Sequence, residues 1–153
     1  MIIPVSRIPE AGATFDGVEP GEVLRFTPAD EFRAAGPVAY HLYAQVVDGV
    51  LIVRGTLDAP LKAHCARCTQ MFSTSVADSG FLRDYSGIQD AEEVDITKDI
   101  REAILLNLPR FPLCDEECKG LCPRCGKNLN SGPCGCSDRT ESGLWSALDN
   151  LKL

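Results

Sequence analysis

The stretch CKGLCPRCGKNLNSGPCGC, residues 118–136, contains five of the eight cysteines in this chain. All eight form close pairs: Cys65-x2-Cys68, Cys114-x3-Cys118, Cys122-x2-Cys125 and Cys134-x-Cys136. Thiolates two or three residues apart can lie on the same side of a tight turn and bind one small tetrahedral cation. Two such pairs complete a shell of four sulfurs, whose usual occupant is zinc. The spacing therefore predicts two structural zinc sites of four cysteines each.

The order of the pairs along the chain indicates which of them share an ion. Pro123 fixes the turn between Cys122 and Cys125, and Gly126 lets backbone amides approach the sulfurs. The loop from this turn to Cys134 is short, so closing it costs little entropy. We predict one site from Cys122, Cys125, Cys134 and Cys136, and a second from Cys65, Cys68, Cys114 and Cys118. The exchanged pairing, in which the first pair joins the 122–125 turn, stays open because sequence alone does not fix connectivity.

Disulfides are one alternative to zinc. Residues 1–12 lack the basic region and long apolar run of a signal peptide. The apolar runs of the chain are too short to cross a bilayer. We therefore expect a cytoplasmic protein, and in that compartment cysteine clusters are more often metal ligands than disulfides.

An iron–sulfur cluster is the other alternative. Cys118-x3-Cys122-x2-Cys125 has the spacing that holds a four-iron cluster in radical enzymes that use S-adenosylmethionine. That fold is a much longer partial (β/α) barrel, and the match would leave five cysteines unexplained. Four sulfurs close each predicted zinc site, which leaves no open position for a catalytic water. The sequence therefore predicts a protein that is not an enzyme.

Residues 38–59 carry the clearest strand pattern. Asp48-Gly49 is a type I′ turn signal that pairs Val46 with Leu51 and continues the pairing as far as Tyr40 with Leu57. These positions form one apolar face, and the opposite face is mostly polar, as in an antiparallel sheet with one solvated side. Pro60 is expected to break the second strand.

The other elements are less strongly patterned. Residues 1–36 show no strong periodicity, residues 72–76 and 81–85 are typical of two further strands, and residues 86–95 are expected to form a polar, acidic loop. Residues 96–108 repeat isoleucine and leucine every four positions and predict a helix that Pro109 ends.

The fold class we predict is α+β. An antiparallel β-sheet domain with a covering helix occupies residues 1–109. A cysteine-rich, zinc-binding tail follows over residues 110–153 and ends in a short helix at residues 142–151.

The charge distribution limits how this chain could bind RNA. It has 15 Lys and Arg against 22 Asp and Glu, a net charge of −7, so a global electrostatic field does not attract nucleic acid. The zinc tail differs, because residues 119–137 contain three basic residues and no acidic one. The candidate RNA-binding residues are those of this tail, its flanks and the first cysteine turn: Arg67, Arg110, Lys119, Arg124, Lys127 and Arg139.

Three features of the sequence resemble the YceD family, the large ribosomal RNA subunit accumulation proteins of bacteria and plastids. They are Cys65-Ala66-Arg67-Cys68 in a β region, the helix end at 105–109 running into Pro112-Leu113-Cys114, and the string 118–130 closed by Cys134-Gly135-Cys136. The resemblance is strongest from Cys65 to the end of the chain. It implies an accessory factor for 23S rRNA or a precursor of the large ribosomal subunit, with no membrane and no small-molecule substrate.

Two other functions fit the same residues. One is an adaptor that docks on a ribosomal protein or a nuclease without touching RNA, through an apolar patch that includes Phe111, Leu121 and Leu129. The other is a redox switch in which oxidation releases zinc. Thiolates that are fully coordinated in tight turns resist such oxidation, which makes the switch the weaker alternative.

Overall fold

The structure, a computed structural model, describes residues 1–88 and 93–136. Besides three short 3-10 helices, these residues form seven strands and one α-helix: β1 (Ile2–Pro4), β2 (Ala13–Glu19), β3 (Phe32–Ala34), β4 (Val38–Val47), β5 (Val50–His64), β6 (Met71–Tyr85), β7 (Glu93–Asp95) and α1 (Thr97–Leu106). Antiparallel β-structure with one helix therefore dominates this part of the chain. The predicted terminal helix lies outside the described residues. None of the described helices has the length and apolar character needed to span a membrane.

The main sheet is built around the long central strand β5. One side of β5 pairs with β6 along its whole length, and the other side pairs first with β4 and then with β3. Strand β2 adds to the outer side of β4, and β1 pairs with β7 in a separate two-stranded sheet. All of these pairings are antiparallel, as predicted.

The predicted β4–β5 hairpin is confirmed, including its register. Val46 pairs with Leu51 and Tyr40 with Leu57. Asp48 and Gly49 have φ angles of 50° and 78°, which are the two positive values that a type I′ turn requires. The apolar face points into the core, where Leu42, Ala44, Leu51, Val53 and Leu57 are buried.

The expected break at Pro60 is wrong, because β5 continues through it to His64. The Pro60 carbonyl accepts a hydrogen bond from the Ala35 amide at 2.9 Å, so this residue directs its backbone groups toward the side of β4 and β3. Strand β4 stops pairing at Asp58 and β3 starts at Leu61. Pro60 therefore lies in the gap between two partner strands, where its missing N–H is not needed.

Residues 72–76 and 81–85 belong to one strand, β6, rather than to two. Its pairing with β5 shifts between Gly55 and Leu57, which face Phe81 and Asp78 respectively. Strand β6 thus carries one extra residue at this point, a β-bulge of the kind that bends a strand without ending it. The residues of the bulge lie between the two sequence segments that were expected to be separate strands.

The acidic segment before the helix also differs from the expectation. Residues 93–95 form β7, although they were expected to be part of a loop, and residues 89–92 lie outside the described residues. The Asp95 carboxylate accepts a hydrogen bond from the Thr97 amide at 2.9 Å and so satisfies one unpaired donor at the start of α1.

Helix α1 covers one face of the sheet, as predicted. Its residues Ile100, Ala103 and Ile104 are buried in a single core with Ile96 and the inner residues of β4 and β5. The helix ends at Leu106, three residues before Pro109. A second, smaller cluster of buried residues consists of Cys65, Cys68 and Cys118, and Phe72 and Leu113 pack against it.

Candidate metal centre

The structure brings the eight cysteines into two groups of four. The first group is Cys65, Cys68, Cys114 and Cys118, and the second is Cys122, Cys125, Cys134 and Cys136. Within each group, all four sulfur atoms lie within 4.8 Å of one another. This is the predicted grouping rather than the exchanged one. All eight thiols are free.

The distances between sulfurs fit one ion at the centre of the first group. The Sγ atoms of Cys65 and Cys118 are 3.8 Å apart, and those of Cys68 and Cys114 are 3.7 Å apart. A tetrahedral ion with metal–sulfur bonds of about 2.3 Å places its ligands roughly 3.8 Å apart. A four-iron cluster sets its cysteine sulfurs outside a core of several atoms, so it needs a wider group than these.

Two turns of the same backbone geometry supply half of the ligands. We call residues 65–70 the first knuckle and residues 122–127 the second knuckle. In each knuckle, the amide of the first cysteine donates a hydrogen bond to the carbonyl of the sixth residue, at 2.9 Å in the first knuckle and 2.8 Å in the second. The carbonyl of the same cysteine accepts a hydrogen bond from the amide of the fifth residue, at 2.9 Å in both knuckles. The fifth residue has a positive φ in both: 60° at Thr69 and 71° at Gly126. The first knuckle lies between β5 and β6, and the second between Leu121 and Asn128, which form an isolated antiparallel bridge.

Backbone hydrogen bonds attach the tail to the first knuckle. The Ala66 amide donates to the Pro112 carbonyl at 2.8 Å, and the Leu121 amide donates to the Arg67 carbonyl at 3.2 Å. The Arg67 guanidinium donates to the carbonyls of Glu116 and Cys118 at 3.0 and 3.1 Å. The first group of cysteines thus lies at the junction of sheet and tail.

Electrostatics at the first group favour a bound cation. Burial opposes ionisation of Cys65, but amide hydrogen bonds from Cys114 and Cys68 lower its pKa to about 6. Burial, followed by hydrogen bonds with the neighbouring thiols, raises the pKa of Cys114 to about 12. One sulfur is therefore poised to ionise while another retains its proton. A divalent cation would remove this conflict, because it stabilises every thiolate that binds it.

In the second group, too, one thiol has a lowered pKa and another has a raised pKa. Amide hydrogen bonds from Cys125 and Arg124 lower the pKa of Cys122 to about 6. The hydrogen bond with Cys125, followed by burial, raises the pKa of Cys136 to about 12. Cys122 is buried and Cys125 is exposed, so this group lies nearer the protein surface than the first.

Asn130 links the two groups, which the sequence did not reveal. Its Nδ2 atom lies 3.2 Å from the Cys118 sulfur, and its Oδ1 atom accepts from the Lys119 amide at 2.8 Å. The hydrogen bond from the Asn130 side chain to the sulfur has the largest influence on the pKa of the Cys118 thiol, and it lowers that pKa. A residue next to the second knuckle thus stabilises a sulfur of the first group. No motif in the sequence marks an asparagine in this position.

Asn130→Ala is expected to weaken metal binding at the first group by about tenfold, because loss of an outer hydrogen bond to a ligand typically costs 10- to 100-fold in affinity. The measurement is competition with a chromophoric chelator, which reports the two ions as separate steps. Asn107→Ala is the control, because the Asn107 side chain donates to the Ala103 carbonyl at 2.9 Å and contacts neither Asn130 nor a sulfur. Equal weakening of both steps by Asn130→Ala would contradict the assignment.

The candidate RNA-binding residues occupy different environments. Arg67, Arg110, Lys119, Arg124 and Lys127 are all exposed, and Arg139 lies outside the described residues. Arg67 is held against the tail as described above, and Lys127 donates from Nζ to the Pro133 carbonyl at 2.8 Å. Arg124 and Lys127 share the second knuckle, whereas Arg110 lies four residues before Cys114 of the first group.

Neither histidine joins a cysteine group. His64 is exposed and its Nδ1 atom lies 3.0 Å from the Thr69 carbonyl, so the ring hydrogen-bonds the backbone of the first knuckle. His41 is on the exposed face of the sheet and pairs with Asp16. The four-cysteine composition of both groups therefore holds within the described residues.

An antiparallel sheet with two closed cysteine clusters defines a class of β-rich protein suited to binding metal ions through sulfur. Residues 83–152 match the family described as large ribosomal RNA subunit accumulation protein YceD. The resemblance to the YceD family that the cysteine motifs predicted is thus confirmed over this part of the chain.

Relatives in bacteria and plants show the same similarity over parts of their length. An uncharacterized protein of Mycobacterium tuberculosis is 36% identical over 102 residues, which cover 58% of this chain and 49% of that protein. The chloroplastic large ribosomal RNA subunit accumulation protein YCED homolog 1 of Arabidopsis thaliana is 36% identical over 63 residues, 41% of this chain and 20% of that protein. Its Zea mays counterpart is 44% identical over 54 residues, 35% of this chain and 18% of that protein.

This chain spans about half the length of the mycobacterial relatives it matches. No solved structure matches it.

Proposed function

We propose that this protein is a non-enzymatic, zinc-binding accessory factor for accumulation of 23S rRNA and the large ribosomal subunit, and that it acts in the cytoplasm. The observation that carries the proposal is the pair of four-cysteine groups within a chain that resembles the YceD family. The plant relatives are named for accumulation of large ribosomal RNA. In this proposal, the metal shapes the tail and the tail contacts RNA.

Zinc is the ion that the ligand set favours. Four thiolates in a tetrahedral arrangement are typical of structural zinc sites, which contribute directly to folding. Three sulfurs of the first group belong to buried residues, and the group is surrounded by Phe72, Leu113 and Leu121. Such a shell offers water no coordination position, which supports a structural role rather than a catalytic one.

The second knuckle is the part of the tail best suited to RNA. Arg124 and Lys127 are exposed on it, and residues 118–136 contain no carboxylate. Lys119 is exposed on the adjoining segment. Backbone turns with a few basic side chains can bind phosphates and unpaired bases of structured RNA. A local positive surface of this kind can act even though the whole chain is acidic.

The test is ultraviolet crosslinking in cells with a tagged protein, followed by sequencing of the attached RNA. Enrichment of one 23S rRNA region is expected for the wild type and is expected to be lost in Arg124→Glu/Lys127→Glu. The matched control is Lys62→Glu/Lys98→Glu, which makes the same change in charge at exposed lysines on β5 and α1. Its crosslinks are expected to match those of the wild type.

Two measurements make the result interpretable. The metal content of each variant must equal that of the wild type, since Lys127 also hydrogen-bonds the Pro133 carbonyl. Binding to the recovered RNA should weaken with salt, and each lost phosphate contact should reduce the slope of log affinity against log salt by about 0.7–0.9. Equal loss of crosslinks in both double variants would overturn the assignment to the second knuckle.

An adaptor that binds a protein is the second candidate, because apolar side chains are exposed beside the tail. Leu106 is 74% exposed and Phe111 is 73% exposed, whereas Leu121 and Leu129 are half-buried. In this case the tagged protein would recover a ribosomal protein or nuclease and no RNA. Phe111→Ser would abolish that recovery, and salt would have little effect on it.

A further inference from the structure

The outer edge of β6 is open along 15 residues. Within the described part of the chain, β6 pairs only with β5. Its first seven residues, MFSTSVA at positions 71–77, contain no charge, proline or glycine. Edge strands of stable monomers are normally protected by charges, prolines or bulges against pairing with another strand. This half of β6 has none of these protections.

The direction of the free backbone groups follows from Pro60. Pro60 directs its carbonyl toward Ala35, on the side of β5 opposite to β6, and it lies in register with Ser75. In an antiparallel pair, two facing residues either exchange both hydrogen bonds or both point away from each other. Ser75 therefore points its N–H and C=O to the outer edge. Because the backbone groups of every second residue in a strand point to the same edge, the residues with outward N–H and C=O groups are Met71, Ser73, Ser75 and Ala77.

The opposite edge of the sheet is different. Strand β2 pairs only with β4 in the described residues, and its exposed side carries Asp16. Gly17 and Glu19 lie in the same strand. An acidic side chain and an interior glycine disfavour the addition of another strand. One edge of this sheet is thus protected by its sequence, and the other is not.

We propose that the 71–77 edge pairs with the same edge of a second copy, in an antiparallel dimer with a two-fold axis at Thr74. In this register Ser73 faces Ser75 of the second copy, and Met71 faces Ala77. Every outward N–H and C=O then meets a partner, which gives about eight hydrogen bonds over roughly 20 Å. The bulge near Asp78, where β6 departs from regular pairing, ends the contact.

The composition of this edge favours a second copy over another protein. A two-fold axis brings this edge against an identical edge, so a self-pairing edge must avoid like charges facing each other. The seven residues are neutral, and their exposed side chains alternate as Met71, Ser73, Ser75 and Ala77, with the large residue opposite a small one. Met71 is 50% exposed and would be covered in the dimer.

The experiment is sedimentation over a range of concentrations with the full, metal-loaded chain and two charged variants. Ser73→Glu/Ser75→Glu and Ser73→Lys/Ser75→Lys each place like charges opposite each other across the axis. The dissociation constant of the dimer is expected to be at least about tenfold higher for each variant than for the wild type. A mixture of the two variants is expected to form a heterodimer, since opposite charges then face each other. Thr14→Lys on the β2 edge is the control and should dimerise as the wild type does.

Amide hydrogen exchange locates the contact. In the dimer, the amides of residues 71, 73, 75 and 77 should become protected as concentration rises. A monomer at all concentrations would overturn the proposal, and so would a dimer that both charged variants retain. Protection of these four amides in a dilute monomer would also overturn it, because another segment of the same chain would then cover the edge.

Discussion

Cys68→Ser is expected to detach the tail from the sheet and to reduce the metal content from two ions per chain to one. Cys68 supplies a ligand to the group that joins the first knuckle to residues 114 and 118, so its loss breaks this connection. Cys122→Ser, in contrast, is expected to unfold the second knuckle, also with loss of one ion, while the sheet and its junction remain folded. Structural zinc contributes about 10–16 kcal/mol of binding free energy in small domains, so both effects should be large.

Limited proteolysis with mass spectrometry distinguishes the two variants. Cys68→Ser should expose bonds between residues 108 and 120, where the tail leaves the sheet. Cys122→Ser should expose bonds beyond residue 120. Cleavage of the same first bond in both variants would contradict the assignment of ligands to two separate ions. The near-ultraviolet signal of the sheet aromatics should be unchanged in Cys122→Ser.

Gly55→Ala is expected to destabilise the sheet domain by about 3 kcal/mol or more. A Cβ atom at Gly55 would lie 2.0 Å from the His41 carbonyl oxygen and 2.8 Å from the Leu42 Cα atom. Both are backbone atoms of the neighbouring strand β4, so neither can move without breaking the pairing of β4 with β5. Urea unfolding of the metal-loaded protein measures the change in the free energy of unfolding.

Gly80→Ala is the matched control for this prediction. Gly80 lies in the bulged part of β6 near Gly55, but a Cβ atom there would meet only the Asp78 Oδ1 atom, at an ordinary 3.8 Å. Its φ is not positive, so alanine introduces no backbone strain. We expect a change of less than about 1 kcal/mol. Similar losses in both variants would contradict the close approach of β4 at Gly55.

The sequence predicted the parts of the fold in which local signals agree. Asp48-Gly49 and the alternation on both sides of it fixed the register of β4 with β5. The cysteines could be grouped because each knuckle brings two sulfurs together by local geometry alone. Lys127 and Arg124 could be located on the second knuckle for the same reason.

Other elements depend on contacts that no local pattern contains. In β2, Val18 points to solvent while Glu19 is half-buried and reaches the N-terminal amine at 2.9 Å, so residue polarity does not mark the buried face of this strand. Strand β3 has three residues and exists because β5 extends past the end of β4. Pro60 was misleading for a related reason, since only the positions of two other strands show that its N–H is dispensable. Asn130 reaches Cys118 through the folded tail, which the sequence does not display.

The two cysteine groups differ in how much chain lies between their ligands, and this sets an order of assembly. Cys122 and Cys134 are 12 residues apart, whereas Cys65 and Cys118 are 53 apart. Closing the longer loop costs about 1 kcal/mol more in entropy, and this loop contains β6 and α1. During synthesis, the second group can capture its ion as soon as Cys136 leaves the ribosome. We expect the first group to bind an ion only after the sheet has formed, so that its occupancy would report that the sheet and the tail are folded together.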